Sequence, residues 1–181
     1  MRLVAAGYGD SLRVSTNAGQ SWSARESQRS WRSVASSADG TRLVAAGPGS
    51  FLYTSTDSGS TWTPRHQKRD WQSVASSADG RRIVAAEIDT YTLHLSNDFG
   101  VTWVQRGAGY PWASVALSAD GSRLAALSTS GMWVGRQDHS TTGITGAVSG
   151  GPDESLELQY IGGGQFLPTR HTTGSGTFQI D

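Results

Sequence analysis

An octapeptide occurs three times in this chain, as Ser15-Thr-Asn17-Ala-Gly19-Gln-Ser-Trp22, Ser55-Thr-Asp57-Ser-Gly59-Ser-Thr-Trp62 and Ser96-Asn-Asp98-Phe-Gly100-Val-Thr-Trp103, with its Asn or Asp positions 40 and 41 residues apart. A period of that length, carrying short alternating apolar runs, marks a radial β-repeat in which each repeat is one sheet of a propeller. The repeat extends beyond the octapeptide. A string beginning at Trp31, Trp71 or Trp112 runs through Ser-Val-Ala to Ser37-Ala-Asp39-Gly40, Ser77-Ala-Asp79-Gly80 or Ser118-Ala-Asp120-Gly121. An Arg-led Val-Ala-Ala-type run then follows at Arg2, Arg42, Arg82 and Arg123. A full unit thus holds four strand candidates, exemplified by residues 31–36, 42–46, 51–55 and 61–65, separated by Gly/Asp/Ser turns. That predicts a four-stranded antiparallel meander.

The octapeptide has a physical reading. Asp57 or Asp98 accepts backbone N–H groups across a tight turn, Gly59 or Gly100 supplies a positive φ, and Trp62 or Trp103 buries its ring between neighbouring sheets. Asn17, Gly19 and Trp22 form the corresponding set in the first copy. These residues recur in register without a cluster of further oxygen donors, which argues for a turn and against a calcium or sugar site. The Ser-Ala-Asp-Gly strings read as hairpin turns, since Asp-Gly between strands is a strong hairpin signal.

The Ser-x-Asp-x-Gly-x-Thr-Trp pattern resembles the Asp-box, or bacterial neuraminidase repeat, of sialidases, sortilin-type receptors, some glucanases and a photosystem II assembly factor. The resemblance covers roughly residues 1–136. It implies an all-β, propeller-like array of four-stranded antiparallel blades, about three and a half repeats, and it implies no one chemistry. By the same resemblance a sialidase would need an arginine triad, a Tyr nucleophile with its Glu, and an acid/base Asp drawn from several blades of a six-bladed disc. Only Glu26, Glu87, Glu154 and Glu157 are available, with no Arg-x-Pro string. No catalytic residue can be carried across. Glu87 with Asp89, the nearest approach to a glycosidase pair, would share one loop instead of flanking a cleft.

Composition excludes other chemistries. With no cysteine there is no disulfide, thiolate metal site or thiol nucleophile. A formal net charge of zero argues against a general nucleic-acid binder. His66, His94, His139 and His171 lack metal-ligand spacing and read as solvated, and no metal or other cofactor is expected. No apolar run is long enough for a membrane span, and the opening residues read as a repeat strand, not a signal peptide.

Arg2 aligns with Arg42 and Arg82, so the first unit lacks the Trp-x-Ser-Val strand. The count is three, four, four and three strands, the last three at residues 112–118, 123–127 and 132–136. Closed propellers use about four to eight blades. Either the tail completes the ring, or several chains do, or the chain is a piece of a longer protein. Residues 137–152 read as a Gly/Ser/Thr-rich linker, and residues 153–181 as a small β segment that caps or assembles the blades. Strand candidates there are residues 155–161, 165–168 and 177–180, with a turn at 162–164. The first of these would pair with the free edge of the first unit, in the same chain or in another copy. Glu157 to Phe166 is similar to small β-modules that end some repeat-rich bacterial and phage-related surface proteins.

In a meander alternate turns share an edge, so the Ser-Ala-Asp-Gly and octapeptide turns occupy one face and the sequence-variable loops the other. Arg25, Arg29, Arg65, His66, Lys68, Arg69 and Arg106 are expected in those loops, on the same face as Tyr8, Tyr91 and Tyr110. Either this surface takes an anionic glycan or an acidic protein, or it is a solvated rim whose arginines pair with Glu26, Asp70 and Glu87. The reading is a noncatalytic binding or assembly module with a glycan or protein ligand, self-associating or part of a longer chain, and extracellular or on a cell or virion surface. The alternative is a fragment of a sialidase-like glycoside hydrolase.

Overall fold

The computed structural model describes residues 2–106, 109–129, 131–136, 155–162 and 165–172, with Arg136 and the last two spans given by backbone alone. The described residues form strands and turns without a helix. Four antiparallel sheets follow one another along the chain. The first is β1 (Leu3–Ala5), β2 (Asp10–Ser15) and β3 (Ser23–Arg29). The second is β4 (Ser33–Ser36), β5 (Leu43–Ala46), β6 (Ser50–Ser55) and β7 (Thr63–Arg69). The third is β8 (Trp71–Ser76), β9 (Ile83–Glu87), β10 (Leu93–Ser96) and β11 (Val104–Arg106), and the fourth β12 (Trp112–Leu117), β13 (Arg123–Ser128) and β14 (Gly131–Arg136). Within each sheet every strand pairs with its sequence neighbour, as the repeat register predicts.

The second strand of each blade explains how the sheets stack. Leu43–Ala46 and Ile83–Glu87 are buried at every residue, so both faces of the sheet are covered there. Their alanines keep the sheet thin and let the next sheet approach. Three apolar clusters result, one per junction: Leu12 with Trp31, Ala45 and Tyr53; Val44, Ala46 and Leu52 with Trp71, Val74 and Ile83; Val84, Ala86 and Leu93 with Trp112, Val115 and Leu124. First strands of successive sheets lie side by side, and backbone bonds join their turns, Ala38 N to Ala78 O at 2.8 Å and Ala78 N to Ala119 O at 2.7 Å.

Burial falls on other tryptophans than the octapeptide suggests. Trp31, Trp71 and Trp112 are 2%, 0% and 2% exposed, whereas Trp62 and Trp103 are half-buried and Trp22 is 40% exposed. The octapeptide tryptophan folds back on its own turn, Nε1–H donating to Gly19 O (3.2 Å), Gly59 O (3.1 Å) or Gly100 O (2.9 Å). The blade-opening tryptophan instead enters the junction, and Trp71 Nε1–H reaches Ser50 O of the preceding sheet at 2.9 Å.

Both turn families form on one face. Gly59 lies at φ 81° behind Ser58 at φ 61°, and Ser60 N donates to Asp57 O. Two consecutive positive φ values are the signature of a type I′ turn. The Ser-Ala-Asp-Gly turn is different: only its glycine has positive φ, and Gly40 N donates to Ser37 O at 3.0 Å. It is a longer hairpin loop than Asp-Gly alone predicts, with six residues between β4 and β5. That Ser58 N bonds Thr41 O confirms the two turns as neighbours.

β15 (Ser155–Gly162) and β16 (Gln165–Thr172) form a separate two-stranded antiparallel sheet. The ladder partner of β15 is therefore β16, and β1 keeps an edge position instead of pairing with residues 155–161. A local hairpin closes at far lower entropic cost than a pairing across most of the chain. The expected linker and the strand candidate at 177–180 lie outside the described residues.

Candidate binding face

Opposite the two turn families lie the connections between second and third strands and those between blades. Bonds confirm that they share an edge: Asp70 Oδ1 accepts Gly49 N at 2.5 Å, Asp70 O accepts Ile88 N at 2.9 Å, and Tyr91 O accepts Gly109 N at 3.0 Å. Three tyrosines stand out here. Tyr8 is 83% exposed, Tyr91 43% and Tyr110 45%. The last two are tied together, because Tyr91 O also accepts Trp112 Nε1–H at 3.1 Å and the Tyr110 ring lies 5.4 Å from that indole.

The cationic residues are arranged differently from the expected ring. Arg25, Arg29, Arg65, His66, Lys68 and Arg69 belong to β3 and β7, not to loops. Each strand carries a bulge in which one residue opposes three, since Leu12 pairs with Arg25 and Asp10 with Arg29, and Leu52 pairs with Arg65 and Ser50 with Arg69. Glu26 and His66 sit in these bulges at φ 56° and 60°. A bulge re-aims the side chains that follow it. Arg25 lies mid-strand, beside a groove shared with Arg2, Thr16, Asp57 and Ser58, and Arg65 Nε donates to Thr54 Oγ1 at 3.2 Å. Arg106 ends β11 and donates to Gln105 O at 3.3 Å.

The remaining cations are engaged. The guanidinium of Arg29 lies 4.8 Å from the Tyr53 ring centre and 3.4 Å from Glu26. Lys68 Nζ lies 5.6 Å from the Phe51 ring. Arg69 Nη1 donates to both oxygens of Glu87, each at 2.8 Å. Glu87 closes β9 and is 2% exposed, so it is neither a loop residue nor a free partner for Asp89. Asp70 takes backbone donors in place of the expected arginine.

Two histidines that read as scattered meet at the second junction. His66 Nε2 lies 2.8 Å from His94 Nδ1, and His94 Nε2 lies 2.9 Å from Glu87 Oε2. The chain runs His66, His94, Glu87, Arg69. Because the carboxylate accepts from His94 Nε2–H, the Nδ1 of neutral His94 is left to accept from His66. His94 is fully buried, T-shaped to Trp71 at 5.0 Å, and His66 stacks on Trp103 at 5.5 Å. Burial, then the neighbouring His94 and Arg69, holds the pKa of His66 down at about 4, and burial also lowers His94. For Glu87 burial acts to raise the pKa, but donors from Arg69, Thr90 and His94 outweigh it and the value is lowered. With both ring nitrogens of His94 taken, the cluster is a polar seam between blades, and the described residues hold no group of three or more side chains suited to a metal ion. His139 and Glu154 lie outside the described residues, and His171 and Glu157 are described by backbone alone.

No family model matches this sequence, and no curated protein matches it. Solved structures do resemble the fold. YCF48 bound to D1 peptide aligns with a TM-score of 0.56 at 17% identity, over 77% of this chain and 48% of that one. The blades are those of a β-propeller. YCF48 from Cyanidioschyzon merolae aligns at a TM-score of 0.49 and 19% identity, over 57% of this chain and 33% of that one. The chain thus spans about half the length of the YCF48 structure bound to D1 peptide.

Proposed function

We propose that this propeller-type chain is a noncatalytic module that binds a segment of another protein on its variable-loop face. The observation that carries this is the contrast between rings and acids there. Tyr8, Tyr91 and Tyr110 are exposed, whereas Asp10, Glu26, Asp70 and Glu87 are engaged in hydrogen bonds or ion pairs, which leaves Asp89 as a lone exposed carboxylate in the described loops of that face. Exposed tyrosines on a rigid scaffold offer large contact area at little cost in conformational entropy, and a glycosidase needs free carboxylates flanking a cleft. The likeness of the blades to YCF48, solved with a D1 peptide, supports a protein segment over a glycan as the ligand class. The octapeptide resemblance to the Asp-box family belongs to the same proposal, as a structural turn without a chemistry of its own.

The test is selection of binding peptides from a random library, followed by titration against Tyr91→Ala, Tyr110→Ala and Tyr8→Ala. Loss of binding of at least tenfold with unchanged melting supports the reading. Binding that ignores all three tyrosines, turnover of fluorogenic glycosides, or selective binding on a glycan array with no peptide selected would each overturn it.

A further inference from the structure

The outward face of the fourth sheet repeats, position for position, a surface that the following sheet buries or partly covers in the sheets before it. Cross-strand pairing places Leu127 beside Met132 and Ala125 beside Val134. Blade register makes these the counterparts of Ala86, Leu93, Val84 and Leu95 in the third sheet, which pack against the fourth. In the fourth sheet Leu127 is 48% exposed, Met132 64% and Val134 50%. At the other end, Trp22 of the first sheet is 40% exposed and Leu3 only partly covered, although their counterparts in the second sheet, Trp62 and Leu43, meet the preceding blade.

We propose that these two faces bind each other between copies, the sheet β1–β3 of a second copy docking head to tail on the exposed face of β12–β14. The occupant follows from continuity with the internal junctions. At the first of them, a Cβ on Gly59 would stand 2.7 Å from Val14 Cγ2, and at the second, a Cβ on Gly100 would stand 3.0 Å from Thr54 Cγ2. The octapeptide glycine of one blade therefore lies directly over the third strand of the blade before it. Gly19 is the corresponding glycine of β1–β3, and Val134 the corresponding third-strand residue of β12–β14. Arg13, which sits where Tyr53 and His94 sit in the internal junctions, brings its own counter-charge in Asp10 at 3.0 Å, so this pair adds no net charge to the junction. Head-to-tail contacts form rings when the rotation closes. Two copies supply eight blades, twice the four of one chain with its β15–β16 hairpin set aside, within the range of about four to eight that closed propellers use.

The experiment is sedimentation of the full chain at micromolar concentration, with variants of each face. Wild type is expected at the mass of two chains. Met132→Asp with Val134→Asp, and separately Trp22→Asp with Leu3→Asp, are each expected at the mass of one chain. Mixing the two variants should restore a two-chain species through the one intact junction, since one retains the head and the other the tail. Because the four positions are wholly or partly exposed, the far-ultraviolet dichroism and a cooperative melt should persist, and the milder Met132→Gln and Trp22→Gln serve if they do not. A monomeric wild type overturns the proposal, as does an assembly indifferent to either face. An assembly lost in the β12–β14 variant and kept in the β1–β3 variant would mean that two fourth sheets pair with each other, and it overturns the head-to-tail arrangement.

Discussion

Ser55 shows how much of a blade rests on one small side chain. It is 3% exposed; its hydroxyl donates to Asp57 Oδ1 at 2.8 Å and accepts the Gly59 N–H at 2.8 Å. Asp57 in turn accepts Thr61 N at 2.9 Å and the Thr61 hydroxyl at 2.6 Å, and that hydroxyl bond, ahead of the backbone bond, draws its pKa down to about 2. Ser15 and Ser96 repeat the arrangement. Removing the hydroxyl orphans a buried donor, so Ser55→Ala should cost about 1–3 kcal/mol in chemical denaturation. Asp57→Asn should be nearly neutral, as Asn17 already accepts Ser21 N at 2.9 Å with its amide oxygen, whereas Asp57→Ala should lower the melting temperature. The Asp role was legible from spacing and turn chemistry. The Ser role was not, because a serine before a turn carries no signal of burial until the next blade covers it.

At the scale of elements, the blade-opening tryptophans and the turn glycines hold sheet to sheet. Trp71→Ala should cost about 3–5 kcal/mol, the range for emptying a core site of that size. Trp22→Ala, at a ring 40% exposed within one chain, should cost less than Trp71→Ala in the same denaturation experiment run at a concentration too low for copies to associate. Gly80 serves two purposes, since it lies at φ 71° and a Cβ there would stand 2.7 Å from Cβ and Cδ of Arg42. Gly40 meets Arg2 and Gly121 meets Arg82 in the same way. Gly80→Ala should therefore destabilise by about 1–2 kcal/mol for the backbone conformation alone, and further for the displaced arginine stem. Arg42→Ala removes Cδ and keeps Cβ, so Arg42→Ala, Gly80→Ala should recover only the share of the second part that Cδ causes, which a double-mutant cycle measures. Both motifs were visible as repeats in the sequence, and which tryptophan is buried was not: both follow the same period, and only the side-by-side packing of first strands separates them.

For the whole molecule, acid acts first on the seam between the second and third blades. His66 and His94 have pKa values below the ordinary histidine value of 6.5, His66 at about 4, so the unfolded chain binds more protons between those limits. Their stabilisation is complete above about pH 6.5 and is lost as pH falls toward 4. A second loss follows below about pH 3.8, where Asp39 and Asp57, each drawn down to about 2 by turn hydrogen bonds, begin to protonate in the unfolded chain. Thermal melting followed from pH 8 to pH 3 should show both stages, and His66→Gln should flatten the first while leaving the second.

The sequence alone determined the blade count, strand order and turn positions, because these depend on local period-2 alternation and on Gly, Asp and Ser at fixed offsets. It also placed Tyr8, Tyr91 and Tyr110 on the variable face, since parity of turns in a meander decides the edge. Tertiary structure alone decided that Arg25 and Arg65 turn away from that face, that Arg69 and Glu87 close on each other, and that His66 finds His94 across 28 residues. These outcomes depend on bulges in β3 and β7 and on the depth to which adjacent sheets interlock. Neither quantity is a property of one strand, so neither is written in the pattern of any one repeat.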